Sequence, residues 1–525
     1  MDTKSTHIDI SHLFLTNEIP TPQEEAAIRQ DIEDLGGKIS LLRTELAALE
    51  AQLQQRQHTL SSVRKLPLEV IGEIFGSLFV HPEGTTDIMD RDEREELLVL
   101  GLVCKGWRDA LLGSHRLWRF LHVRLSEIPL GIDKIATWFS RSGNLPKVLE
   151  VNIDEWSHNC GCRYDPEKAC NLVDPSVVQL LTDGPIVYHL ALICDTPKCF
   201  GNLMNRLGPP NAISNRPWDC VKSLDLTFAS WEYREGLNHH NSVFDSLPPL
   251  TALHLYLPLD RTETREVSLN IPPAVLNVLT SITISSIWKG NHILTLLQHC
   301  ACVENVMVDF DGRDPMFHLE DPFIQKVIKN RISLPRLQKL HLRGAPNVDL
   351  LQFIQAPKLV SLDIDRDDLS SDLETTFFNF FIPFAMICKG TLQHLRIYRL
   401  ALPASYLADI LVKLPALTHL TLERVTTISG SSPWAILSET VLSAPSSPPL
   451  PNLRSLELLQ LPRDYIYDHA ARFLSAIAIS PRHVSWTVSY VKERPVHVDH
   501  LQGWFNDKEG VSVYLARLPE VDAAS

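Results

Sequence analysis

The side chains best suited to holding a metal gather in one stretch, where His158, Cys160, Cys162 and Cys170 are followed by Cys194 and Cys199. Thiolates and imidazoles are the usual zinc ligands, and a structural zinc site closes four of them around one ion. A firm zinc signature carries two matched pairs. Here a C-x-C is followed, after seven intervening residues, by a single cysteine. The spacing favours a loop with free thiols, and no metal or cofactor is expected. Cys300 and Cys302 flank an apolar phrase and fit a core. His497 and His500 stand three apart, as ligands on one helical face would, but two are too few for a site and they fit a surface. The chain has no Gly-rich nucleotide loop, G-x-S-x-G elbow or H-E-x-x-H, and no enzymatic activity is expected.

Composition narrows the class. The chain has 525 residues, 44% of them hydrophobic and 21% charged, with a net charge of -14. Two or more structural units are expected at this length. So acidic a chain gains little from counterion release on a phosphate backbone, which argues against nucleic acid as a partner. No apolar run is long enough for a transmembrane helix, so no membrane partner is expected. The N-terminus lacks the compact apolar core of a secretory signal. Ten cysteines are too sparse for a disulfide framework and read as reduced thiols, pointing to the cytoplasm or nucleus.

Residues 1–22 are polar and show no period, as expected of a mobile tail. Over 23–62 a heptad appears. Ile32, Ile39, Leu46, Leu53 and Leu60 recur at sevens, interleaved with Ile28, Leu35, Leu42 and Leu49. Alternating steps of four and three set both series along one helical seam, the a/d pattern of a coiled coil. Lys38, Arg43, Glu45 and Glu50 occupy the flanking e and g positions. Gly36-Gly37 interrupts the pattern at a cost of about 1 kcal/mol per glycine, so a break is expected there, with regular helix from Lys38 to Ser62. The seam fits a second copy of the chain (a homodimer), a partner helix, or a fold-back onto the same chain.

Residues 63–121 form a short helical module. Leu66-Pro67 opens a helix that carries Val70, Ile71, Ile74, Phe75 and Leu78 at helical spacing, with Glu69 near its positive end. An acidic insert, Asp87 to Glu96, leads into a second helix with Leu97, Leu100, Val103, Cys104 and Trp107. A third cluster of Leu111, Leu112, Leu117, Trp118 and Leu121 closes the unit. So much apolar surface on so small a module exceeds what its own core can hide.

From about 120 to 490 one phrase of apolar residues, Φ-x-x-Φ-x-Φ, recurs eleven times. It begins at Val148/Val151/Ile153 and ends at Leu453/Leu456/Leu458, with steps of 22 to 39 residues between middle positions. Several strands are announced by Leu-Pro-x-Leu, as at Leu334, Leu414 and Leu450. A leucine-rich repeat has this phrase at about 20–29 residues, and the longer steps imply helices on the return path. The fold class read from these patterns is α/β. It comprises an N-terminal coiled-coil helix, a small three-helix module, an irregular repeat solenoid over 122–490, and a C-terminal cap and tail over 491–525.

The module at 63–121 resembles the F-box. The matching residues are Leu66-Pro67-Leu68-Glu69-Val70-Ile71, Ile74-Phe75, Val103-Cys104-Lys105-Gly106-Trp107-Arg108 and Leu117-Trp118. Joined to a coiled-coil helix and leucine-rich repeats, it resembles the F-box/leucine-rich-repeat families of basidiomycete fungi. The resemblance implies the substrate-receptor subunit of an SCF-type cullin–RING ubiquitin ligase. A Skp-type adaptor, and through it a cullin, would bind the F-box, and a protein substrate the repeats. It implies adaptor contacts from Leu66, Pro67, Glu69, Val70, Ile74 and Phe75, and from Val103, Cys104, Trp107, Arg108 and Trp118. The link His81–Glu96 is longer and more charged than the family's and fits a solvated loop. The alternative reading is a coiled-coil and repeat scaffold with no role in ubiquitin transfer.

Overall fold

The computed structural model describes residues 9–60, 62–79, 91–124, 131–152, 160, 170–209, 216–231, 243–258, 269–286, 288, 290–312, 317, 319–345, 348–366, 374–427, 432–443, 448–460, 467–478, 483–490 and 510–517. The chain divides into two units. One comprises Met1–Val80 with Glu95–Ser114, the other His81–Arg94 with His115–Ser525.

In the first unit, helix α1 runs unbroken over Pro22–Thr59. Its start is a reciprocal cap. The Glu24 carboxylate accepts the Thr21 backbone N–H at 2.7 Å, and the Thr21 hydroxyl accepts the Glu24 N–H at 3.4 Å. The break expected at Gly36-Gly37 does not occur. Both glycines lie on the outside of the helix with open space around them, so their cost is propensity alone, spread over 38 cooperative residues. Helices α2 (Leu68–Phe79) and α4 (Lys105–Gly113) follow, with α3 (Arg91–Val103) between them in sequence and in this unit from Glu95 on. Part of the expected acidic loop is thus helix: Asp92 and Glu93 occupy the first turn of α3, where they face the positive end of its dipole. The stretch His81–Asp90 lies outside the described residues.

The second unit is built on a 14-stranded sheet in which each strand pairs in parallel with its neighbour. The strands are Phe120–Arg124, Val148–Asn152, His189–Cys194, Ser223–Phe228, Ala252–Tyr256, Ser281–Ser285, Asn305–Asp309, Lys339–Arg343, Ser361–Asp365, His394–Tyr398, His419–Glu423, Ser455–Leu459, Val484–Tyr490 and Val511–Arg517. Most of them alternate buried and half-buried residues, as a sheet with one face in the core must, while His189–Cys194 and Ser223–Phe228 are buried at most positions. Side chains at matching positions stack across the ladder: Leu190 beside Leu224, then Leu253, Ile282 and Val306. All are fully or almost fully buried, each contributing about 1.5–3 kcal/mol before chain entropy is subtracted.

Each of the eleven apolar phrases meets a strand. The first is displaced: Leu149 pairs with Leu190 and Val151 with Leu192, so Leu149 and Val151 take the places that the second and third positions hold in the next phrase, and Ile153 lies outside the described residues. The Leu-Pro-x-Leu pieces are tight turns. In each of Leu334–Leu337, Leu414–Leu417 and Leu450–Leu453 the last N–H donates to the first carbonyl at 3.2 Å, with proline at the second position, where its fixed φ suits the turn. Ala356-Pro357-Lys358-Leu359 does the same. Among the described residues, three strands of this sheet stand outside the phrase, at 120–124, 484–490 and 511–517, and the last belongs to a region expected to be cap and tail. Among the described residues no helix is long and apolar enough to cross a membrane.

Candidate interaction surfaces

On α2 the buried side chains are Ile71, Phe75 and Phe79, spaced by four and lying on one face. They turn toward α4, and Gly72 brings the two helices so close that a Cβ there would fall 2.0 Å from the Ser114 hydroxyl oxygen. The Phe75 ring meets Trp107 edge-on, with centroids 5.2 Å apart. Cys104 separates α3 from α4 as an N-cap, its sulfur accepting the Trp107 N–H at 3.4 Å. Arg108 Nε donates to the Gly101 carbonyl at 3.2 Å and so ties α4 back to the last turn of α3.

Many of the remaining apolar side chains on and just before α2, and on the C-terminal half of α3, are uncovered. Leu66, Leu68, Val70, Ile74 and Leu78 are 37–61% exposed, and Leu98, Val99, Leu102 and Val103 are 44–73% exposed. So much exposed apolar side chain on two short helices calls for a partner. Of the residues implied as adaptor contacts, Leu66, Pro67, Glu69, Val70, Ile74, Val103, Cys104 and Arg108 are exposed, and Trp107 is half-buried. Two are core instead. Phe75 is 2% exposed, and Trp118 is fully buried in the second unit, edge-on to Trp138 with centroids 4.7 Å apart. Both are large rings with apolar neighbours in their own unit, which removes them from the surface. Leu68, Leu78, Leu98, Val99 and Leu102 are exposed apolar residues beyond those the resemblance implies as contacts, and they continue the apolar positions around the helix.

The second unit offers a different surface. The residue between the two core positions of each strand lies on the opposite face of the sheet, and the register lines these up as His122, Glu150, Ala191, Asp225 and His254 at one end, with Ala191 and Asp225 themselves buried. At the other end come His341, Asp363, Arg396, Thr421 and Glu457. Asp225 lies between two histidines, 3.3 Å from His189 Nε2 and 2.8 Å from His254 Nδ1. Burial opposes its charge, and the pairing with both rings outweighs it, holding its carboxyl below the usual range. Burial, and then the charge of Asp225, push the Glu150 carboxyl up.

Further along, Arg396 bridges two strands, 2.8 Å from Glu423 and 3.3 Å from Asp363. The guanidinium carbons of Arg399, Arg396 and Arg424 lie 4.8, 5.7 and 5.7 Å from the centre of the Tyr398 ring. Arg399 and Arg424 follow the strand ends at φ of 55° and 52°, a left-handed conformation uncommon outside glycine. This half-buried group sets three guanidiniums around one aromatic ring, with Arg396 paired to Asp363 and Glu423 and Arg424 donating to Gln460. Linear reading missed it because its members recur only once per repeat and meet through register.

The cysteine stretch folds into something its spacing conceals. The sulfurs of Cys160, Cys170 and Cys199 all lie within 4.8 Å of one another, and all three residues are buried. His158, Cys162, His497 and His500 lie outside the described residues. Cys300 is core as expected, and burial pushes its thiol up to about 12. No protein-family model matches the chain, and no curated protein matches it.

Proposed function

We propose that the chain is a non-enzymatic substrate receptor of an SCF-type cullin–RING ubiquitin ligase, working in the cytoplasm or nucleus. The exposed apolar face of α2 and α3 carries this reading, because it coincides with residues that match the F-box motif. A Skp-type adaptor covers that face, with Leu66, Val70, Ile74 and Val103 as its apolar anchors and Glu69 and Arg108 at the rim. The second unit acts as an irregular leucine-rich-repeat solenoid. Its parallel strands and recurrent apolar phrase support that reading, and stacking hides the core that no single repeat could close. A protein target docks on the outward polar residues, the Tyr398 arginine group foremost. Reconstitution tests the proposal. Mixing the purified chain with a Skp-type adaptor and a cullin–RING pair should give one co-eluting assembly, and separate elution of chain and adaptor would overturn it.

A second reading, a scaffold without ubiquitin transfer, is favoured by α1, whose seam from Ile32 to Leu53 is exposed along its length. It requires a partner on α1 and no recruited cullin in the same reconstitution.

A further inference from the structure

We propose that Cys160, Cys170 and Cys199 bind a structural zinc ion. Tetrahedral zinc with Zn–S bonds of about 2.3 Å spaces its sulfurs about 3.8 Å apart, and the three sulfurs here lie within 4.8 Å of one another, so a small closure brings them to coordination distance. Their surroundings suit thiolates. Cys199 sits in the first turn of helix Pro197–Leu207, whose N-terminal dipole favours negative charge. The Cys160 sulfur accepts the Asn171 N–H at 3.4 Å, and the Thr196 hydroxyl lies 3.4 Å from the Cys199 sulfur. The Cys160 backbone N–H donates to the buried Asp195 carboxylate at 2.8 Å, fixing Cys160 against the strand exit. Thiolate ligands select thiophilic ions over magnesium or calcium. Exposures of 1%, 9% and 0% give a closed, structural centre that leaves one of four positions to a further donor. The ion joins residues 160 and 170 to a helix nearly thirty positions further on, acting as a staple beside the third and fourth strands.

The test measures metal in the full-length chain purified under reducing conditions without chelator. Elemental analysis should find about one zinc per chain, and cobalt exchanged into the site should give near-ultraviolet thiolate-to-cobalt charge-transfer bands. Cys199→Ser should lose both signals while the buried control Cys300→Ser keeps them. Wild type with neither zinc nor cobalt bands overturns the site, as does a disulfide joining two of the three cysteines, or full metal content in Cys199→Ser.

An independent observation carries a second inference: α1 pairs with a second copy of itself, antiparallel. Its charges decide the direction. In a parallel in-register pair, Glu25 would face Glu25, Arg56 would face Arg56, and the flanking positions would bring Lys38 to Arg43 and Glu45 to Glu50 of the other helix. Each contact is repulsive. Reversing one helix about a centre between Ser40 and Leu41 sets Ile39 opposite Leu42, Ile32 opposite Leu49 and Leu46 opposite Leu35. The same alignment brings Glu25 to Arg56, Arg29 to Glu50 and Lys38 to Glu45, every pair complementary. The apolar seam waiting to be covered is 50–63% exposed at Ile32, Leu35, Ile39, Leu42, Leu46 and Leu49. Arg43 faces Gly36 in this arrangement and is neutral.

Light scattering of the full chain across a dilution series tests the orientation. Wild type should dimerise, Lys38→Glu should weaken dimerisation at least several-fold, and Lys38→Glu with Glu45→Lys should restore it. Arg43→Glu should leave it nearly unchanged. These residues are exposed, so helical content by circular dichroism should hold in every variant. A monomeric wild type overturns the pairing. Tighter association of Lys38→Glu or Arg43→Glu overturns the antiparallel direction, since both substitutions create attractive pairs only in the parallel form.

Discussion

The rings of Phe75 and Trp107 meet edge-on, centroids 5.2 Å apart at 66°, and this contact joins α2 to α4. It sorts the residues of α2 into two kinds. Phe75 holds the module together, while Ile74, its neighbour in sequence, points away and is 45% exposed.

Phe75→Ala should therefore destabilise the helical module by about 3–5 kcal/mol, the usual cost of emptying a buried aromatic site. Ile74→Ala should change its stability by no more than about 0.5 kcal/mol. Amide hydrogen exchange over α2 and α4 in the full chain reads both. Equal loss of protection in the two variants would contradict the assignment.

Gly72 and Ser114 should be coupled. The Ser114 hydroxyl donates to the Ala110 carbonyl at 2.8 Å and occupies the space a Cβ at 72 would need. Gly72→Ala gains about 1 kcal/mol of helix propensity but displaces that hydroxyl and forfeits a hydrogen bond of about the same worth. In wild type it should be neutral or destabilising; in a Ser114→Ala background it should stabilise by about 1 kcal/mol. The same effect in both backgrounds would contradict the close approach.

Asp225 and Asp365 should respond to pH with opposite signs. The Asp225 carboxyl titrates lower in the folded chain than in the unfolded one, so its stabilisation is complete above the ordinary carboxylate range and lost as pH falls through its folded value. Asp225→Asn should lower the melting temperature at pH 7, with the deficit shrinking in acid. Burial pushes Asp365 up to about 6, against the pull of Arg396 and Arg399. Its ionisation therefore disfavours the fold above pH 6, a penalty that fades as pH falls toward 4. Asp365→Asn should raise the melting temperature at pH 7.5 and leave it unchanged near pH 4.

Much of this architecture was legible in the sequence because its signals are local. Leu340 and Leu342, Leu362 and Ile364, and Leu395 and Ile397 carry the period-two alternation of half-buried strands. The strands at 120–124, 484–490 and 511–517 escaped because they depart from the leucine phrase. Trp486, for instance, fills the place that Leu456 holds in the strand beside it. Gly36-Gly37 misled because propensity is weighed residue by residue while a helix forms cooperatively. Phe75 looked like a contact because a motif does not say which face of a helix is already occupied. The cysteine triplet and the Tyr398 group were invisible for a tertiary reason: residues 160, 170 and 199, or 398 and 424, meet only once the strands are in register.

The most direct measurement is a titration of a purified Skp-type adaptor onto the full chain and onto a Val70→Asp/Ile74→Asp variant. Both residues are exposed, so the variant should keep the amide protection of α2. Saturable binding to wild type, weakened at least a hundredfold in the variant with α2 intact, is the result expected if the apolar face of α2 and α3 is the adaptor surface. Adaptor binding of equal strength in both, or none to a well-folded wild type, would contradict it.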